Sequence, residues 1–253
     1  TLTIKAKVVL VALFAFTIIS CLQAHGTTKT STGNGNWSSS STWSPSGVPA
    51  STDNVVIDAG DVVTVDGNYT CNNLSIGANQ ASTLQITTSG KSLTINGALT
   101  LNTNGKNHSY ILDAGPGTIN IAGTIASLGT RGNNYIKVGT GTINFTPDVT
   151  ISNNTQSILF TGAGTINFNG NFTDQYNGLT PYSGCTVNFS SSYTVNTTSA
   201  TWGDLGTANF KGSNGTIIAT NPITFNNLII QSGDSVQVSG SCTTNYLTIG
   251  NGG

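Results

Sequence analysis

The chain is 253 residues long, with 8 Lys+Arg against 9 Asp+Glu and a formal charge of -1. Charged residues make up 7% of it, against about a quarter in an ordinary soluble domain; every acid is Asp, Met is absent and Gly reaches 31. Loss of the strong helix formers excludes a helical or α/β fold, a hydrophobic content of 36% excludes full disorder, and sparse cations exclude binding through nucleic-acid phosphates.

Residues 1–24 begin with Lys5 and Lys7, run apolar from Val8 to Ile19, and end in small and polar residues. That is the pattern of a secretory signal, and the apolar run is short for a membrane span. Cleavage after Ala24 would place Leu22 and Ala24 where a signal peptidase reads. The alternative is the lipobox-like Ile18-Ile19-Ser20-Cys21, which would lipidate Cys21 and tether the chain to a membrane. Three widely spaced cysteines then remain, Cys71, Cys185 and Cys242. They form neither a disulfide framework nor a CxxC metal motif, which leaves a single bridge or buried thiols as the alternatives.

Residues 25–53 form an entry module. It reads Gly35-Asn36-Trp37, then Thr42-Trp43-Ser44-Pro45-Ser46-Gly47-Val48-Pro49, then Asp53-Asn54-Val55-Val56-Ile57. Trp37 and Trp43 are bulky enough to close the apolar end of a solenoid, and Pro45 and Pro49 keep an exposed edge from recruiting a strand. The sharper alternative for the two Trp is glycan stacking. This run resembles the front of secreted right-handed parallel β-helix surface proteins of the Bacteroidetes type. The resemblance implies an adhesin-like extracellular protein, with polysaccharide-degrading enzymes among more distant members of the architecture.

Asp53, Asp58, Asp61 and Asp66 lie within 14 residues, close enough to invite calcium. A turn role is the alternative, because Asp61 recurs as Asp234 in a second Gly-Asp pair. No other cofactor is expected.

From about residue 54 a repeat sets in. Thr94-Ile95-Asn96, Thr118-Ile119-Asn120, Thr142-Ile143-Asn144, Thr165-Ile166-Asn167, Thr186-Val187-Asn188 and Thr207-Ala208-Asn209 recur every 21–24 residues. Alternation of polar and apolar residues is a strand with one buried face. Two further apolar clusters per repeat, such as Val149/Ile151 and Ile158/Phe160, give three strands per coil. The fold expected is all-β, a single-stranded right-handed parallel β-helix over residues 54–253 behind a short cap, the handedness resting on the crossover rule and the resemblance. Leu74 follows Val55 by 19 residues and Leu93 follows Leu74 by 19, which places all three in one file. The segment from Ile57 to Gly77 returns at Ile230 to Gly250, 173 residues later. The chain then stops within a coil, as expected of the front piece of a longer protein.

With Ile and Phe inward, Thr94, Thr118, Thr142, Thr165, Thr186 and Thr207 form one outward file. Asn96, Asn120, Asn144, Asn167, Asn188 and Asn209 form a second. An uncharged lattice of hydroxyls and amides suits structure first, then contact with an extracellular glycan or a neighbouring copy, and less well an ice surface. Counting back from each Thr puts Asp113 beside Lys137, flanked by Ser89 and Phe160: an ion pair with no second carboxylate. The same count groups Lys106, His108 and Arg131 as a basic spot for an anionic glycan, or as solvated loop residues. No stack of two Asp appears, as polysaccharide hydrolysis would need, and no Ser/His/Asp triad. The function expected is a non-catalytic segment, secreted or on the outer cell surface, with no nucleic-acid partner and no membrane span after the signal.

Overall fold

The computed structural model describes residues 26–250 apart from 59, 78–80, 102–109, 128–132, 152–156, 175–178, 182–183, 196–199, 202–206, 212–214 and 220–222. The predicted signal with Cys21, and the basic residues Lys106, His108 and Arg131, lie outside the described residues.

The chain winds as a right-handed parallel β-solenoid, and among the described residues there is no α-helix. Most coils carry three short strands, each on its own face. The first face begins with Thr28–Ser31, Asn54–Ile57, Leu74–Ile76, Leu99–Leu101 and Ile125–Ser127. A separate sheet, Val149–Ile151, Phe172–Asp174, Tyr193–Val195, Gly215–Ala219 and Val236–Ser239, continues the same position in the coil. The second face runs from Gly35–Asn36 to Leu179–Pro181. The third runs from Asn68–Cys71 through Ser92–Ile95, Thr118–Ile121, Thr142–Phe145, Thr165–Phe168, Thr186–Phe189 and Thr207–Phe210 to Ile223–Ile230 and Cys242–Ile249.

Short Thr-, Val- and Ile-rich segments suit this winding, because a β-branched side chain packs on a pleated surface between identical neighbours. Alternation sends every second side chain inward. Ile119, Ile143, Ile166 and Val187 are fully buried on the third face, as are Leu74 and Leu99 on the first. Phe145, Phe168, Phe189 and Phe210 form a continuous stack, with successive centroids 5.0, 5.5 and 5.1 Å apart. Offset stacking adds to the area each ring buries. The glycine ahead of the repeated Thr has a packing reason: a methyl group on Gly141 would overlap the Gly117 carbonyl oxygen of the preceding coil.

The entry module closes the first coil and adds to it. Thr28–Ser31 pairs parallel with Asn54–Ile57, and Gly35–Asn36 with Val62–Thr64, so regular coil pairing starts inside the module rather than at residue 54. Trp43–Ser44 runs antiparallel to Thr28–Ser31 and blocks that sheet edge. Trp37 is 0% exposed and Trp43 2%. Their rings meet edge-on at 5.1 Å, and Trp37 stacks on Tyr69. The Trp43 indole donates to the Trp37 carbonyl at 2.9 Å.

Three registers differ from the sequence expectation. Thr118 lies opposite Ser92, and Asn120 opposite Thr94, so the first Thr-x-Asn copy is two residues out of step and Asn96 falls past the strand. The core decides this. The observed pairing sets Leu93 against Ile119 and Ile95 against Ile121; the shifted one would put Gly97 opposite Ile121. An empty core position costs about 2–5 kcal/mol, more than the roughly 1 kcal/mol of one added Asn–Asn bond. Leu93 belongs to the third face, and the successor of Leu74 is Leu99. Asp113 does lie beside Lys137, but their flanking partners are Gln85 and Thr161, not Ser89 and Phe160.

The long-range repeat is one strand–turn unit used twice. Asp61 N donates to the Asp58 carbonyl and Asp234 N to the Gln231 carbonyl, both at 3.1 Å. Gly60 and Gly233 hold φ of 85° and 81° at the turn position that requires it. Gly77 and Gly250 then close on Ile57 and Ile230. The first copy follows a first-face strand and the second a third-face strand.

Candidate functional site

The third face carries the most regular outward surface. Thr118, Thr142, Thr165, Thr186 and Thr207 are in strict register, and so are Asn120, Asn144, Asn167, Asn188 and Asn209. Ser92 and Thr94 stand where Thr94 and Asn96 were expected, and Asn68 and Thr70 precede them in register.

The two files do different things. Coil spacing of roughly 4.8 Å lets a planar carbonamide reach its copy in the next coil. Asn144 Nδ2 donates to Asn120 Oδ1 at 2.7 Å, and Asn167 Nδ2 to Asn144 Oδ1 at 2.6 Å. Asn188 continues to Asn167 at 2.6 Å and Asn209 to Asn188 at 3.0 Å. At the start Asn120 Nδ2 reaches the Thr94 hydroxyl at 3.4 Å. All donors point back toward the cap, so the amide dipoles add head to tail. At the far end Asn209 is 8% exposed, and its Oδ1 has no hydrogen-bond partner. The residue opposite is Ile229, which cannot donate. Thr118, Thr142, Thr165, Thr186 and Thr207 are half-buried, and no hydrogen bond of their hydroxyls occurs among the described residues, whereas the Ser92 hydroxyl ahead of them donates to Asn68 Oδ1 at 3.1 Å. Hydroxyl donors and acceptors thus remain open to solvent beside a row of amides already engaged.

A second Thr file escaped the sequence reading. Thr150, Thr173 and Thr194 are in register on the first face, outward because Val149, Phe172 and Tyr193 are buried. Each lies six residues after a ladder Asn, and that constant offset is the signal which could have found it. The corner between the files is polar. Asp148 accepts from Asn171 N at 2.7 Å, and Asn171 Oδ1 accepts from the Ser191 and Ser192 hydroxyls at 2.7 Å each.

The acidic group at the front does not converge. Asp53 accepts from Thr27 N, Thr27 Oγ1 and Ala50 N at 2.7–2.9 Å. Asp61 accepts from the Ser31 hydroxyl and Gly33 N, and Asp66 from Ser38 N and its hydroxyl. Asp61 and Asp66 fasten the cap to the first coil at separate points, and Asp53 ties the two ends of the cap together. Among the described residues no group of three His, Cys, Asp or Glu is placed to hold a metal ion. Burial pushes the Asp53 carboxyl up, but the bonds from Ala50 and Thr27 and the charge of Lys29 outweigh it and hold the pKa below the ordinary value. Asp66 behaves alike: burial raises it, and the Ser38 donors bring it below normal. Lys29 is itself buried, and its ammonium donates to the Pro45 and Ser46 carbonyls at 3.0 and 3.2 Å.

Burial raises the Cys71 and Cys185 thiols to about 12, and raises Cys242 as well. All three are free. With Trp37 and Trp43 inside the cap, neither ring offers a face to a sugar. Among the described residues no helix is long and apolar enough to cross a membrane.

No family model, curated protein or solved structure matches the chain.

Proposed function

We propose that this chain is a non-catalytic, rod-like segment of an exported protein that works outside the cell or at its surface, in the manner of an adhesin stalk. The observation that carries the reading is the Asn ladder: the most ordered outward side chains bond to each other along the axis. Side-chain bonds parallel to the axis, added to the strand ladders, stiffen a quasi-one-dimensional stack in the direction a spacer needs. The basic amino-terminal segment with its apolar run supports export, and the entry module's resemblance supports the surface role.

A second reading is favoured by the open hydroxyls of the Thr file: lateral contact with a neutral glycan or with a neighbouring copy. The test replaces Thr142 and Thr165 with Lys, two half-exposed changes that disturb no ladder bond. Binding to cell-wall and exopolysaccharide preparations, and self-association, are compared with the parent at equal thermal stability. Loss of either supports lateral contact; no change leaves the face to structure alone. Surface proteolysis of intact producing cells tests the location: release of the rod supports the surface reading, and full protection with retention inside the cell contradicts it.

A further inference from the structure

Three features of the solenoid change at one place. The Asn ladder ends at Asn209, whose buried Oδ1 lacks a donor because Ile229 stands opposite. The Phe stack ends at Phe210, which pairs in register with Ile230. The second face changes too: among the described residues its separate sheet is followed to Leu179–Pro181, and the next strand in the chain order of the coil, Ala200–Thr201, pairs with Ile223–Thr224. That same eight-residue strand runs on without a corner to pair with Thr207–Phe210 through Asn227–Ile230. Cys242–Ile249 then pairs along it from Ile223 to Ile230. Among the described residues, coils with three strands thus give way to coils with two.

Backbone pairing crosses this step unbroken, and so do the buried file from Val187 through Ala208 to Leu228 and the Tyr193–Phe225 ring contact, but the Asn ladder and the in-register Phe stack are interrupted there. In a linear stack, stability is a sum of coil and neighbour terms, and a weak neighbour term divides cooperative units. We propose that the step from Thr207–Phe210 to Ile223–Ile230 is a built-in seam, at which the coils from residue 215 onward open as one unit while the preceding coils stay folded. Ile229 is the interrupting residue. Thr248 lies opposite it in the next coil, so the ladder would resume and finish on a Thr hydroxyl, as it does at Thr94, were a carbonamide present between them. If the chain serves as a rod, the seam is where it yields first under axial load. That consequence rests on the proposed function; the seam itself does not.

The test is native-state amide hydrogen exchange on the whole chain and on Ile229→Asn. In the parent, amides of 223–230 and 236–249 share one low protection, with a sharp rise at 207–210 and above. Ile229→Asn satisfies the buried acceptor and slows exchange across both late strands roughly tenfold, the scale of one buried polar group gaining its partner, and leaves 118–189 unchanged. Asn209→Leu is the second variant: it moves the orphan acceptor to Asn188, so 207–210 joins the labile unit. A smooth gradient of protection from the last coil inward, equal protection on both sides of the step, or an unchanged boundary in Asn209→Leu overturns the proposal.

Discussion

Replacing Asn167 with Ala cuts the ladder at its centre. Two bonds of 2.6 Å are lost, one to Asn144 and one from Asn188. Two partners are orphaned unequally. Asn188 is 4% exposed, so its Nδ2 is left without water, at about 1–3 kcal/mol. Asn144 is half-buried, and its Oδ1 can be hydrated, adding about 1 kcal/mol. The total is roughly 2–4 kcal/mol, which for a chain of this size lowers the melting temperature by about 5–12 °C. Thr165→Ala is the control, two residues earlier on the same strand and same face, with no hydrogen bond to lose; its effect stays within about 0.5 kcal/mol. Both variants are compared with the parent by thermal melts followed by far-UV circular dichroism and by urea unfolding. If Asn167→Ala costs no more than Thr165→Ala, the ladder contributes nothing and the stiffening argument fails.

Acid should loosen the cap before the coils. Asp53 and Asp66 have folded pKa values below their ordinary value, so their stabilisation is complete above about pH 4 and is lost as pH falls through the folded values. The check is a red shift of Trp37 and Trp43 fluorescence below pH 4 ahead of the circular dichroism change, and Asp53→Asn should shift that step. Phe168→Ala opens a hole between Phe145, Phe172 and Phe189 and should cost about 3–5 kcal/mol by urea unfolding. Cys71 and Cys185, with pKa near 12, should stay unmodified by a thiol reagent at pH 8 in the native state and react on unfolding, as peptide mapping would show.

Much of the fold is written as periodicity. Thr118-Ile119-Asn120 and its later copies display a period of two within a period of one coil, and a strand that alternates must be stacked in that register to bury Ile and Phe. Trp37 and Trp43 were legible as a cap because nothing else in the module is large enough to close an apolar end. The misplaced first copy shows the limit of such reading. A period of two cannot distinguish a register from the same register shifted by two, so Thr94-Ile95-Asn96 matched the motif while Leu93 and Ile95 matched the core. The neighbours of Asp113 were misassigned for a related reason: counting back from Thr118 crosses a corner whose length varies from coil to coil. The Asn file was visible as a row of residues, but its hydrogen bonds depend on the coil spacing, and the orphan at Asn209 depends on Ile229 arriving 20 positions later. The merging of two faces into one strand was hidden because Ile223–Ile230 reads as one long strand whether or not a corner divides it.

The central claim is that one coil stacks on the next in the register set by the third face, and spin-label distances test it most directly. Labels are placed at Ser92 and, in separate double variants, at Thr165, Thr186 and Thr207, which lie three, four and five coils along one outward file. Dipolar spectroscopy should return distances that rise linearly by roughly 4.8 Å per coil, reaching about 24 Å for the last pair. Distances that do not increase along the series, or that alternate between pairs as antiparallel hairpins require, would contradict the stack and with it the ladder.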